Sequence, residues 1–413
     1  MTFFARYKKF FLIIGFIALV LVLAYFIWQT FFSKPKVTAP NGPQATGTTR
    51  GFPNISSGGA NTAINNGGNG GLPNGGTPGE QTTASGASPV ALGGVTQTKP
   101  LVNSPTLNPT LNSNGGIQYY NPNDGHFYTV NNNGQITQLS NKTFPGVQQV
   151  VWAPNKNQAV LEYPDNSKIL YNFQTQKQVT LPSDWQDFSF SPSSQKLVSK
   201  SIGLDAENNW LVVSNADGSQ AKALENIGTN QATVYPSWSP NNQIVAMYTQ
   251  GLDFNRQNLY FVGQNHENFK STIIEGRGLK TQWSTKGNQL LYSVYSSNTN
   301  LNPELWIVGA QGNNISNNRT DIGLATWANK CTFASNTEVY CAVPENLPRG
   351  AGMFPELANQ TKDNLYQINL TNGSKKLIAI PNGSYNISQV MVSGKNLYFT
   401  DQTTKQVYQI NLP

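Results

Sequence analysis

Residues 234–250 read VYPSWSPNNQIVAMYTQ: an alternating run ending on Trp238, a polar turn at Asn241 and Asn242, and a second alternating run from Ile244 to Tyr248. Alternation with period two marks half-buried strands, and a polar pair between two such runs marks a tight hairpin. The phrase returns as VVWAPNKNQAVLEY around Trp152, FSFSPSSQKLVSK around Phe190, TQWSTKGNQLLYSV around Trp283, CTFASNTEVYCAV around Phe333 and, more weakly, QVMVSGKNLYF around Met391. Successive copies lie 38, 48, 45, 50 and 58 residues apart. A second phrase, an apolar residue before an aromatic, follows each copy: Leu170-Tyr171, Asn209-Trp210, Leu259-Tyr260, Leu305-Trp306, Leu365-Tyr366 and Val407-Tyr408; one more, Phe127-Tyr128, precedes them all. No copy can bury its apolar face alone, so the copies must stack about a common axis. A repeat of about 40 to 50 residues made of four short strands is the signature of a β-propeller blade.

With the strands of each repeat labelled A to D, A carries the Trp or Phe and C the apolar-aromatic pair. Ser237-Trp238-Ser239-Pro240, a strand, and then Leu259-Tyr260-Phe261 resemble the blade repeat of TolB-type, WD-like β-propellers. The resemblance covers residues 115–413 and implies an all-β propeller with a binding or scaffolding role, whereas the fold itself hosts many unrelated functions. Seven C strands can be counted but only six A strands, because 117–140 supplies B, C and D and the chain ends on A, B and C. Seven blades with incomplete first and last members is the preferred architecture; six blades, the usual TolB-type number, is the alternative.

Composition divides the 413 residues into unlike parts. Residues 1–9 are short and basic, and Phe10 to Phe32, FFLIIGFIALVLVLAYFIWQTFF, is 23 residues without a charge. At 1.5 Å per residue such a helix reaches roughly 35 Å, enough to cross a bilayer core. Trp28, Phe31 and Phe32 stand where an interfacial aromatic belt is expected. The apolar core is too long for a cleaved signal peptide, which points to an uncleaved signal anchor. Residues 33–114 are dominated by Gly, Asn, Thr, Pro and Ser, a composition too polar to offset the entropy of ordering it, and read as a flexible linker.

The net charge of +7 comes from outside the repeats: Arg6, Lys8, Lys9, Lys34 and Lys36 supply most of it, and residues 115–413 hold 20 basic against 19 acidic side chains. A repeat domain so near neutrality lacks the counterion-releasing surface of a nucleic-acid binder. Arg6, Lys8 and Lys9 outweigh Lys34 and Lys36, which places the repeats outside the cytoplasm by the positive-inside rule. Cys331 and Cys341 flank TFASNTEVY and face each other if the turn falls on Ser335 to Thr337, so a disulfide and an oxidising compartment are expected.

In a propeller the B–C and D–A connections emerge on one face and the A–B turns on the other. The A–B turns are short here, whereas four B–C connections are long: 203–209, 251–257, 296–304 and 343–364. Insertions on one face mark it as the place where function resides. Two of these loops share Gly-Leu-Asp, at 203–205 and 251–253. One account has Gly and Asp shaping the same turn twice; the other makes Asp205 and Asp253, with Arg256 beside them, ligands for a cation or a hydroxylated molecule. The longest loop offers Leu347, Arg349, Met353, Phe354 and Leu357, a mixture suited to a protein or peptide contact, with Arg349 and Phe354 as the expected anchors.

Chemistry is harder to find. The chain has two histidines, His126 and His266, and no Gly-x-Ser-x-Gly, so a serine-hydrolase triad is not expected. One Cys pair and two separate histidines give no zinc spacing, and no phosphate-cradling loop precedes a helix; no cofactor is expected. Asp205, Glu207, Asp253, Glu345 and Glu356 all belong to the long-loop face, which leaves a carbohydrate-binding or carbohydrate-cleaving propeller as the alternative to a protein-binding one.

Overall fold

The computed structural model describes residues 16–23, 25–26 and 86–413. Residues 86–413 form a β-propeller of seven sheets, six four-stranded and one five-stranded. The blades span residues 107–138, 149–181, 185–226, 234–274, 277–321, 331–381 and 387–411, numbered 1 to 7 below. Within blades 1 to 5 the strands follow chain order from the inner A to the outer D and pair antiparallel; in blade 2, for example, Trp152 of strand A pairs with Ala159 and Val160 of strand B with Leu170.

The repeated Trp-turn phrase proves to be the A–B hairpin. In blade 4, strand A is Val234–Pro236, ending before Trp238, and strand B is Ala246–Gly251, starting later than Ile244, with the Ser237 amide bonded to the Val245 carbonyl between them. The turn is the same in four blades. Lys156, Ser194, Asn242 and Gly287 occupy its last position at φ 63°, 63°, 63° and 68°, and each donates its amide to the carbonyl three residues back.

Apolar clusters lie between blades, as the stacking argument requires. Phe127 of blade 1 packs edge-on against Trp152 and Phe173 of blade 2, at 5.5 and 4.8 Å between ring centroids. Leu101, Val102, Ile117 and Tyr119 share one cluster with Met391, Tyr398 and Val407, which joins blade 1 to blade 7.

That closure corrects the expected linker boundary. Lys99–Val102 is strand D of blade 7, pairing with Val407–Asn411, and Leu107–Leu111 is strand A of blade 1. Val95–Thr96 adds a fifth, parallel strand to blade 6 through Ile380 and Pro381. Residues 95–111 are therefore propeller rather than linker, and they supply both strands missing from the repeat count. Their signal is weak because Pro100 sits on an edge strand, where no partner needs its amide, and because Asn108 at φ 44° breaks the alternation of its strand with a bulge. The seven-bladed reading holds and the six-bladed alternative does not.

Residues 16–23, 25 and 26 are helical with exposed apolar side chains, and among the described residues no helix is long and apolar enough to cross a membrane. The remainder of the 10–32 stretch, the basic segment 1–9 and residues 33–85 lie outside the described residues. In blade 6, Cys331 and Cys341 stand opposite each other on strands A and B and form a disulfide.

Candidate binding face

The two faces of the disc are used differently. On the A–B side, polar groups fasten neighbouring turns together: Gln118 Nε2 donates to the Lys156 carbonyl at 3.2 Å, Gln158 Nε2 to the Ser194 carbonyl at 2.6 Å, and Asn241 Nδ2 to the Gly287 carbonyl at 2.8 Å. Those groups are spent on holding the ring.

On the other face, the B–C connections of blades 4, 5 and 6 are tied to one another. In blade 4, Asp253 accepts from Arg256 Nη2 at 2.7 Å, from Arg256 Nε at 2.8 Å and from the Asn255 amide at 2.8 Å. Arg277, at the start of blade 5, donates to the carbonyls of Phe254 and Asp253 at 3.0 and 2.7 Å and lies 5.8 Å from the centre of the Phe254 ring. Asn255 Nδ2 donates to Ser297 Oγ at 2.7 Å, and the Ser297 amide returns to Asn255 Oδ1 at 2.9 Å. The next link is through main chain: the amides of Gly350 and Gly352 donate to the carbonyls of Asn300 and Leu301 at 3.0 and 2.8 Å. Only glycine fits at 352, because a Cβ there would stand 2.6 Å from that of Tyr295 and 2.7 Å from the Leu301 carbonyl oxygen.

The C-terminal end of the 345–362 connection is held by a buried ion pair. Lys330 Nζ lies 2.8 Å from both oxygens of Asp363, whose Oδ2 also accepts the Ile387 amide at 2.6 Å. Burial pushes the Asp363 carboxyl up and the Lys330 ammonium down, each shift opposed by the attraction of its partner. Lys330 also sits 5.5 Å from the centre of the Trp327 ring, and Trp327, Leu347, Ala351 and Ala358 form a small core beneath the loop.

The sequence-predicted residues fall into three groups on this scaffold. Met353, Phe354 and Leu357 are exposed at 43–49%, and Arg349 is exposed with no ion pair among the described residues. Leu347, by contrast, is an internal anchor of the loop. Asp253 and Arg256 are partners of each other, and hydrogen bonding from Arg256 holds the Asp253 carboxyl below its usual range. Asp205 is exposed, and its carbonyl, not its carboxylate, accepts the Asn208 amide. The two Gly-Leu-Asp segments make different turns: 203–205 leads into the 3-10 turn Ala206–Asn208, whereas the amides of Leu252 and Asp253 close onto the Arg256 carbonyl. Not foreseen were Leu204, fully exposed, and Leu252 and Phe254, at 48% and 53%, which extend the apolar rim to blades 3 and 4. Phe254 lay within a loop already singled out; Arg277 and the Lys330–Asp363 pair carry no sequence signal, because each partner lies more than twenty residues away.

No protein-family model and no curated protein matches this chain. Among solved structures, an oligogalacturonate lyase in complex with manganese is 12% identical, covering 76% of this chain and 93% of its own, with a TM-score of 0.51. The β-propeller domain of Myceliophteria thermophila Cps50 (Swd1) is 11% identical over 76% of this chain and all 100% of its own, at a TM-score of 0.50. Kuenenia stuttgartiensis hydrazine synthase is 12% identical over 75% and 96%, also at 0.50. At such identities the likeness is one of fold, and activity does not travel with it.

Proposed function

We propose that this chain is a TolB-like propeller held at the membrane by residues 10–32 outside the cytoplasm, and that it binds a protein partner in an envelope assembly through its B–C face. The observation that carries this reading is the exposure of Met353, Phe354 and Leu357 on a loop fixed by hydrogen bonds to its neighbour and by a core beneath it. Apolar side chains held rigidly in water lose little conformational entropy when covered, the condition for an interface hot spot. Phe354, together with Arg349, whose cation has no ion pair among the described residues, is the expected anchor.

The test is cross-linking of the full chain in native membranes. A double substitution of Arg349→Ala and Phe354→Ala should abolish the specific adduct while leaving the melting temperature unchanged. If the adduct persists in that variant and is lost on Lys286→Glu, in an A–B turn, the partner uses the other face. Impermeant labelling of intact cells checks the proposed location, and full reactivity of Cys331 and Cys341 in folded native material would contradict it.

A further inference from the structure

A groove of about 480 Å³ lies along the seam between blades 3 and 4, and none of the exposed rim residues named above lines it. Its origin is local. Strand D of blade 4, Thr272–Ile274, pairs only with residues 257–259 of strand C, so Tyr260, Phe261 and Val262 lack an outer neighbour. The 263–271 connection reaches across the seam instead, and His266, at φ 59°, places Nδ1 3.1 Å from Glu225 Oε1 on strand D of blade 3. The floor is apolar, with Leu211, Val234 and Phe261, and one wall carries Tyr248 and Tyr260, stacked at 4.6 Å with only 10° between their planes.

Two carboxylates line this space, Glu225 and Glu267, and no lysine or arginine does. Glu225 has only the His266 imidazole, and Glu267 is held by the neutral amides of Asn265, at 2.8 Å from the main chain and 2.9 Å from the side chain. Stacked phenol faces beside uncompensated carboxylates favour a positively charged, partly apolar group, which the rings attract through their quadrupoles and the carboxylates through charge. The geometry points to this groove as a binding site for an organic cation, the ammonium or guanidinium of a lysine or arginine side chain or of a free alkylamine. The alkyl stem would lie along Tyr248 and Tyr260, and the cation would displace His266 from Glu225.

The experiment is isothermal titration of the full chain in detergent with n-butylammonium, with the tripeptide Gly-Lys-Gly acetylated at its N-terminus and amidated at its C-terminus, and with the equally blocked norleucine counterpart as the neutral control. Either cationic probe should bind, and the norleucine peptide should bind at least about tenfold more weakly. Tighter binding of the tripeptide identifies a peptide-borne cation, and tighter binding of butylammonium a free amine. Glu225→Gln and, separately, Tyr260→Leu should each weaken the better probe about tenfold at unchanged melting temperature; Arg349→Ala should not. The inference is overturned if neither cation binds, if the norleucine peptide binds equally well, or if Glu225→Gln leaves the affinity unchanged. None of these outcomes bears on the rim, so this site and the proposed protein-binding face stand or fall separately.

Discussion

Lys330 and Asp363 show how much can depend on one pair of side chains. Both are buried, and each needs the other because an isolated charge in that position has no water to solvate it. Removing one partner strands the other, at a typical cost of about 3–5 kcal/mol, whereas replacing both by apolar groups of similar volume is often neutral. Lys330→Met should therefore destabilise the propeller strongly in urea unfolding, and Lys330→Met with Asp363→Leu should recover most of the loss. Asp253 makes the opposite case, an exposed carboxylate whose partner lowers its pKa without burial. Its folded value lies below the unfolded one, so the pairing contributes at neutral pH and is lost as pH falls through the lowered value. A carboxyl NMR titration should place Asp253 below the usual aspartate range, and Arg256→Gln should move it back up.

At the scale of the element, the A–B hairpin explains why one phrase recurs. A left-handed residue closes the turn in blades 2 to 5, and Lys156, Ser194 and Asn242 accept that conformation at a cost of about 1–2 kcal/mol that glycine avoids. In blade 5 the position is Gly287, where a Cβ would also meet the Asn241 amide nitrogen at 2.6 Å in the neighbouring blade. Gly287→Ala is thus expected to cost at least the left-handed penalty, about 1–2 kcal/mol, and more through the contact with the blade 4 turn. Equilibrium denaturation measures the total, and hydrogen exchange at Asn241 and Asn242 reports whether the neighbouring turn loosens. The recurrent serine-proline pair belongs to the same device: in blade 4, Ser239 Oγ accepts the Ile244 amide at 3.0 Å and donates to Asn241 Oδ1 at 2.6 Å.

At the scale of the molecule, the ring is closed by a strand that precedes blade 1 in the chain. Lys99–Val102 is hydrogen-bonded to strand C of blade 7, so residues far apart in sequence finish one sheet. Leu101 and Val102 bury their side chains in the cluster that joins blades 7 and 1. A chain beginning at residue 86 should melt as the full chain does. One beginning at residue 103 loses the outer strand and exposes the edge of Val407–Asn411, so it should melt well below it, with early exchange of those amides and a tendency to associate edge to edge. Equal melting temperatures for the two truncations would show that the closing strand contributes little.

The sequence by itself determined the architecture: period-two alternation, the recurring A–B turn and the C-strand aromatics specify blades, and unburied blade faces oblige them to stack. It also marked the face with long connections and set Cys331 opposite Cys341, since hairpin register follows from turn position. These are local properties, legible because a strand and its turn are written in neighbouring residues. Tertiary structure alone decided how the ring closes, because the pairing of 99–102 with 407–411 leaves no trace in either segment. It alone decided that Asp253 is occupied by Arg256, that Leu347 anchors while Phe354 is displayed, and that Lys330 meets Asp363. Each of these depends on which side chains distant chain segments bring within hydrogen-bonding or van der Waals reach, and reach is a property of the folded backbone.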